Sequence, residues 1–141
     1  MHTFRVGVTV VLLALWACTT EQVATPASKP VFHDDMLEAL RQGVESELEQ
    51  PVVIDVDELR KNERWAFVTA VSLTADRKPI DYSQTKFAAD VADGVFDDWL
   101  CALLENEGEG WRLVALEIGA TDVPFMDWPE RYGVPKAIVL P

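Results

Sequence analysis

The sequence predicts an α+β domain over residues 34–141, with one N-terminal helix packed on a curved antiparallel sheet of about four strands and a short C-terminal helical turn. Three observations carry that expectation. Apolar residues recur at helical spacing in "HDDMLEALRQGVESELEQP" and at strand spacing in the segments that follow. The tract "NEGEG" separates two apolar runs and supplies glycines for a tight hairpin. With 49% apolar residues, five tryptophans among them, the 141-residue chain can build a real core.

The helix comes first. Asp34 or Asp35 can cap it, and Glu38 stands three residues after Asp35, a capping-box spacing. Met36, Leu37, Leu40, Val44 and Leu48 fall on one stripe. Gln50-Pro51 ends the element, because a residue before proline is pushed out of helical geometry. Glu45, Glu47 and Glu49 crowd the C-terminal end, where the helix dipole disfavours negative charge, so tertiary packing must hold it.

Strands follow. "VVIDVDEL" sets Val52, Ile54 and Val56 against Asp55 and Asp57, "RKNE" reads as a turn, and "RWAFVTAVSL" places Trp65, Phe67, Thr69, Val71 and Leu73 on one face. Thr74 to Gly94 reads as a polar connection with a short helix around Lys86 to Ala92. "VFDDWLCALLE" and "WRLVALEIG" then form the hairpin. Straight pairing of Glu105 with Arg112 gathers Trp99, Cys101, Leu103, Val114, Leu116 and Ile118 on one face, and Leu100, Ala102, Leu104, Leu113 and Ala115 on the other. A strand pair apolar on both sides needs cover on both sides. The helix covers one, so the C-terminal segment or a second subunit is expected to cover part of the other.

That segment is "TDVPFMDWPERYGVPKAIVLP". Asp127 suits a cap, Pro129 the first turn, Glu130 lies three after the cap, Gly133 can end the turn and Pro135 follows. The turn carries Trp128 and Tyr132, which are also the candidate partner-binding residues, and "AIVL" is expected against the sheet edge or its apolar face. The stretch "TDVPFMDWPERYG" resembles segments of uncharacterised bacterial secreted proteins, a resemblance that implies no activity.

The chain begins "MHTFRVGVTVVLLALWAC". Arg5 and the amino terminus make a short positive region, and the apolar run Val6 to Ala17 follows. A helix of that length rises roughly 18 Å, short of the ~30 Å hydrocarbon core, so it reads as an export signal rather than a span. "LWAC", Leu15 to Cys18, resembles the lipobox of bacterial lipoproteins, with Leu at −3 and a small residue before the Cys; Trp16 stands where a smaller residue is usual. The resemblance implies residues 1–17 as signal peptide and diacylglycerol on the Cys18 thiol. It also implies residues 18–33 as a lipidated N-terminus and flexible tether, and a place in the bacterial cell envelope facing the periplasm. The polar, Pro-containing "TTEQVATPASKP" suits such a tether. Ordinary cleavage to a soluble periplasmic protein, an uncleaved signal anchor, and a Cys18–Cys101 disulfide are the competing readings.

Charge narrows the partners. Lys plus Arg is 12 against 24 Asp plus Glu, a net −12, and the cations are scattered singly or in pairs. Nucleic acid is excluded as an expected partner, since it requires clustered cations; anionic headgroups are disfavoured likewise. Expected partners are the membrane, through Cys18, and an envelope protein or a second copy.

Catalytic chemistry is sparse. His33, beside Asp34 and Asp35, reads as a solvated helix start rather than a metal ligand. Cys101, between Leu100 and Ala102, reads as a buried apolar residue rather than a reactive thiolate. Asp90, Asp93, Asp97 and Asp98 raise the question of calcium, but their spacing matches no helix-loop-helix calcium loop. No cofactor, metal or catalytic residue is expected. The element order over Asp34 to Gly119 resembles the cystatin-like or nuclear-transport-factor-like arrangement. That resemblance implies a cone for a small ligand or for acid–base chemistry, with Tyr82, Asp97, Trp99 and Glu117 as candidates. The preferred expectation is a non-enzymatic lipoprotein whose domain binds another protein or assembles with itself; the ligand-binding or catalytic cone is the alternative.

Overall fold

The computed structural model describes residues 34–141. The leader, Cys18, the tether and His33 lie outside the described residues. The elements run α1 (Asp34–Leu48), β1 (Val52–Lys61), β2 (Trp65–Thr74), α2 (Ala88–Asp93), β3 (Leu100–Asn106), β4 (Trp111–Ile118), α3 (Trp128–Tyr132) and α4 (Lys136–Val139). Short 3-10 turns cover Tyr82–Gln84 and Pro124–Asp127. The fold is α+β, with a four-stranded antiparallel sheet in the order β1-β2-β3-β4, so β1 and β4 are its edges. Among the described residues no helix is long and apolar enough to cross a membrane.

Helical spacing places Met36, Leu40, Val44 and Leu48 in one line, and all four are buried. They pack on Ala66, Val68 and Ala70 of β2, Leu100, Ala102 and Leu104 of β3, and Val52 of β1. The expected conflict at the acidic end of α1 is resolved locally. Glu45 accepts a hydrogen bond from the Val52 backbone N–H at 3.1 Å and an ion pair from Arg41, which also holds Glu38. The carboxylate thus ties the last turn of α1 to the first residue of β1.

The second face of the sheet is covered by the C-terminal segment. Trp128, Val134, Ile138 and Val139 form a core with Trp65, Phe67, Cys101 and Leu103. Phe67 meets Phe125 and Trp128 edge-on, with ring centroids 5.0 and 6.1 Å apart. α4 thus lays Ile138 and Val139 on the apolar face, one of the two placements expected for "AIVL".

Two bulges change the expected facing. At Asp57 the pairing steps from Val56↔Ala70 to Glu58↔Thr69, so Leu59 joins Ile54 and Val56 on the α1 side while Arg60 lies over the Phe67 ring. β1 also continues through Arg60 and Lys61, leaving Asn62 to make the turn, its side chain accepting from the N–H groups of Arg64 and Trp65. On β4 the pairing steps from Leu104↔Leu113 to Leu103↔Ala115, with Val114 as the extra residue. Glu105 does pair with Arg112, but beyond the bulge the faces exchange. Leu116 and Ile118 pack on the α1 side, and Ala115 joins Val114 on the Trp128 side, the reverse of the straight-strand expectation.

The connection between β2 and β3 carries Tyr82, Phe87 and Phe96, whose rings meet tilted or edge-on with centroids 4.6–6.5 Å apart and plug one end of the α1-side core. α2 starts two residues later than expected and ends at Gly94. Gly119, at φ +83°, leaves β4 directly against the Phe96 ring. Asp127 is not a cap by its side chain: the preceding 3-10 turn runs straight into α3, and Asp127 instead pairs with Arg131 at 3.7 Å.

Candidate functional site

β4 is the surface that the geometry singles out. Its sequence, WRLVALEI, carries two charges, Arg112 and Glu117, on either side of the apolar tract Leu113 to Leu116. All four residues of that tract are half-buried, although both faces of the neighbouring β3 are fully covered. β4 ends the sheet, so its outward backbone groups have no strand partner among the described residues.

The inner side of β4 is held firmly. Leu113 and Leu116 reach under α1 at Gly43, where an added Cβ would stand 2.2 Å from Leu113 Cδ2. At the hairpin end, Glu105 is nearly buried and accepts hydrogen bonds from Arg64 (2.6 and 2.9 Å) and from Arg112 Nη2 (2.8 Å). Arg112 Nε donates to Glu107 at 2.9 Å. These carboxylates stabilise the guanidinium and raise its pKa, Glu107 contributing most. Nη1 of Arg112 has no partner among the described residues, and neither has the exposed Glu117 carboxylate.

The predicted site residues are dispersed. Tyr82 is buried in the α1-side core, and burial raises its pKa. Trp99 packs on the opposite side, its Nε1 donating to the Ala120 carbonyl at 2.6 Å. Glu117 lies across from Cys101 on that same side, exposed, and Asp97 is exposed in the turn before β3, its N–H donating to Gly119. Trp99 and Glu117 thus share one side of the sheet while Tyr82 sits beyond it, so the four do not converge on one cavity. Cys101 is fully buried, and burial first, then the Glu117 charge, pushes its thiol up to about 12.

Trp128, expected on a partner surface, is 1% exposed at the centre of the chain's own second core. Its indole is too large to leave outside once Phe67 and Leu103 need cover. Tyr132 is half-buried, edge-on to Trp128 at 6.2 Å, with Arg131 over its ring. Asp90, Asp93, Asp97 and Asp98 do not assemble: among the described residues no three His, Cys, Asp or Glu side chains group to hold a metal ion.

Two depressions flank α1. An open cleft of about 930 Å³ at its C-terminal end contains Glu47, Glu49, Lys78, Asp81 and Lys86, with Lys86 paired to Glu47 across it. A shallower groove of about 360 Å³ lies between α1 and β1, over Leu37, Arg41 and Ile54.

Regular strand alternation does not reveal the facing of β4. The available signal was the odd spacing of Leu113 from Leu116 and of Arg112 from Glu117. On an unbroken strand that spacing puts one member of each pair on the wrong face. No family model, curated protein or solved structure matches this chain.

Proposed function

We propose that this protein is a lipoprotein of the bacterial envelope, held to the membrane by acyl chains on Cys18, whose domain is a non-enzymatic protein-binding or self-assembling accessory unit. The leader and "LWAC" support the anchor. The single observation that supports the binding role is β4, an edge strand with a half-buried apolar tract and outward backbone groups that have no strand partner among the described residues. In this reading the sheet curves around α1 in the cystatin-like or nuclear-transport-factor-like manner. The bulges at Asp57 and Val114 support that curvature, since each adds local bend and twist.

The anchor is tested by intact-mass measurement of the protein isolated from its native envelope. The expected species begins at Cys18 and carries acyl mass, and a Cys18→Ser protein remains unprocessed. An unmodified thiol at the new terminus overturns the anchor. The binding role is tested by retrieving the anchored protein from solubilised envelopes after chemical cross-linking. The expected product is a discrete cross-linked species containing β4 peptides; cross-links scattered over all surfaces count against it.

A further inference from the structure

We infer that the β4 edge pairs with the β4 edge of a second copy of this chain, antiparallel and about a two-fold axis centred between Val114 and Ala115, giving a continuous eight-stranded sheet. The proposal rests on the self-assembling half of the reading above and gives it a surface and a register.

Parity decides which registers an antiparallel self-pairing can take. In antiparallel self-pairing about a point between two residues, each residue meets one an odd number of positions away. On a regular strand those two residues lie on opposite faces, so such a register cannot form. The bulge at Val114 removes the obstacle. Arg112 and Glu117 both lie on the Trp128 side, opposite Glu105 and Cys101 of β3 respectively. Leu113 and Leu116 both lie on the α1 side, while Val114 and Ala115 both lie on the Trp128 side. Outside the bulge, backbone direction alternates together with side-chain face, so Leu113 with Leu116 and Arg112 with Glu117 match both in face and in which way their N–H and C=O groups point.

The resulting pairs are complementary. Arg112 meets Glu117 of the other copy and Glu117 meets Arg112, each a cross-strand ion pair at the end of the contact. The Nη1 group of Arg112 and the Glu117 carboxylate both lack partners among the described residues. Between them Leu113 meets Leu116 and Val114 meets Ala115, covering the half-buried tract. Trp111 meets Ile118 on the α1 side. The opposite edge has a different character. β1 carries Asp55, Asp57, Glu58, Arg60 and Lys61 among its ten residues, the charge density by which edge strands resist pairing.

The test uses the full chain in detergent solution. Light scattering, with the detergent mass subtracted, is expected to show the protein mass doubling between dilute and concentrated samples. Hydrogen–deuterium exchange on the same samples is expected to slow in β4 peptides on concentration and to stay unchanged in β1. Glu117→Lys places like charges at both ends of the contact and is expected to weaken the dimer about tenfold. Glu109→Lys, the same charge change in the exposed hairpin turn, leaves it unaltered. A monomer at every concentration overturns the inference without touching the Cys18 anchor. A dimer whose β4 exchange is unchanged by concentration, or that ignores Glu117→Lys, overturns the β4 register while leaving self-assembly in place.

Discussion

The two faces of the sheet are covered by opposite means. On one, a single helix of 15 residues lays four aliphatic side chains over small strand residues, Ala66, Ala70 and Ala102 among them. On the other, two helices of five and four residues and a 3-10 turn cover Trp65, Phe67, Cys101 and Leu103. α1 has repeated backbone bonds and several equivalent contacts, so no single side chain carries it. The C-terminal pieces are too short to be stable as helices and depend on what they bury. The lesson is that a face covered by short elements concentrates its stability in one or two large anchors, here Trp128 and its aromatic neighbours.

Trp128→Ala tests this contrast most severely. It is expected to cost about 4 kcal/mol in urea unfolding and to detach the C-terminal segment. Cys101, unreactive while its thiol is buried and held near 12, should then label rapidly with a disulfide reagent at neutral pH. Leu40→Ala on the other face should cost about 3 kcal/mol, yet leave Cys101 protected in the folded state. Equal Cys101 labelling in the two variants would erase the distinction between the faces.

Gly119→Ala comes next, at about 2 kcal/mol. The new methyl meets the Phe96 ring, and its backbone sits at φ +83°, where side chains are strained. Thermal unfolding should report it, and the loss should fall on the Tyr82–Phe87–Phe96 plug rather than on Trp128 fluorescence. Ser72→Ala sharpens the picture of the α1-side core in the other direction. Its buried hydroxyl has no hydrogen-bond partner among the described residues, so removal is expected to stabilise by about 1 kcal/mol.

The smallest effect lies at the surface of α1. Hydrogen bonds and ion pairing from Arg41, with Gln42 assisting, lower the Glu38 pKa to about 2; the Val52 N–H, then Arg41, lowers that of Glu45. A carboxylate with a depressed folded pKa contributes stability that is present above its unfolded value near 4.5 and lost as pH falls toward about 2. Acid titration of unfolding should therefore show a shallow loss in that window, and Arg41→Met should flatten it. Both carboxylates lie at solvent, so the loss should also shrink in high salt.

Much of the fold was legible in local pattern. The stripe Met36 to Leu48 named α1 and its buried line, "NEGEG" located the hairpin and the Glu105–Arg112 pair, and Gly133 marked the end of α3. The candidate site was not legible in the same way. Arg112, Leu113, Leu116 and Glu117 were all visible, but which face each occupies depends on one extra residue in β4. Trp128 reads in sequence as a partner-binding aromatic but lies in the core, because an exposed anchor and a core anchor look the same in sequence.

By itself the sequence determined α1, the four strands, a short helix between β2 and β3, and α3 in their order, together with the two-sided apolar character of the hairpin and the acidic balance of the chain. These follow from side-chain spacing and turn chemistry, which act over a few residues. Only the tertiary structure decided that Asp57 and Val114 bulge, that Leu116 and Ile118 turn toward α1, and that Trp128 closes the second face from within. Those outcomes depend on contacts between segments distant in the chain. There the packing of whole faces outweighs the regular alternation of a single strand.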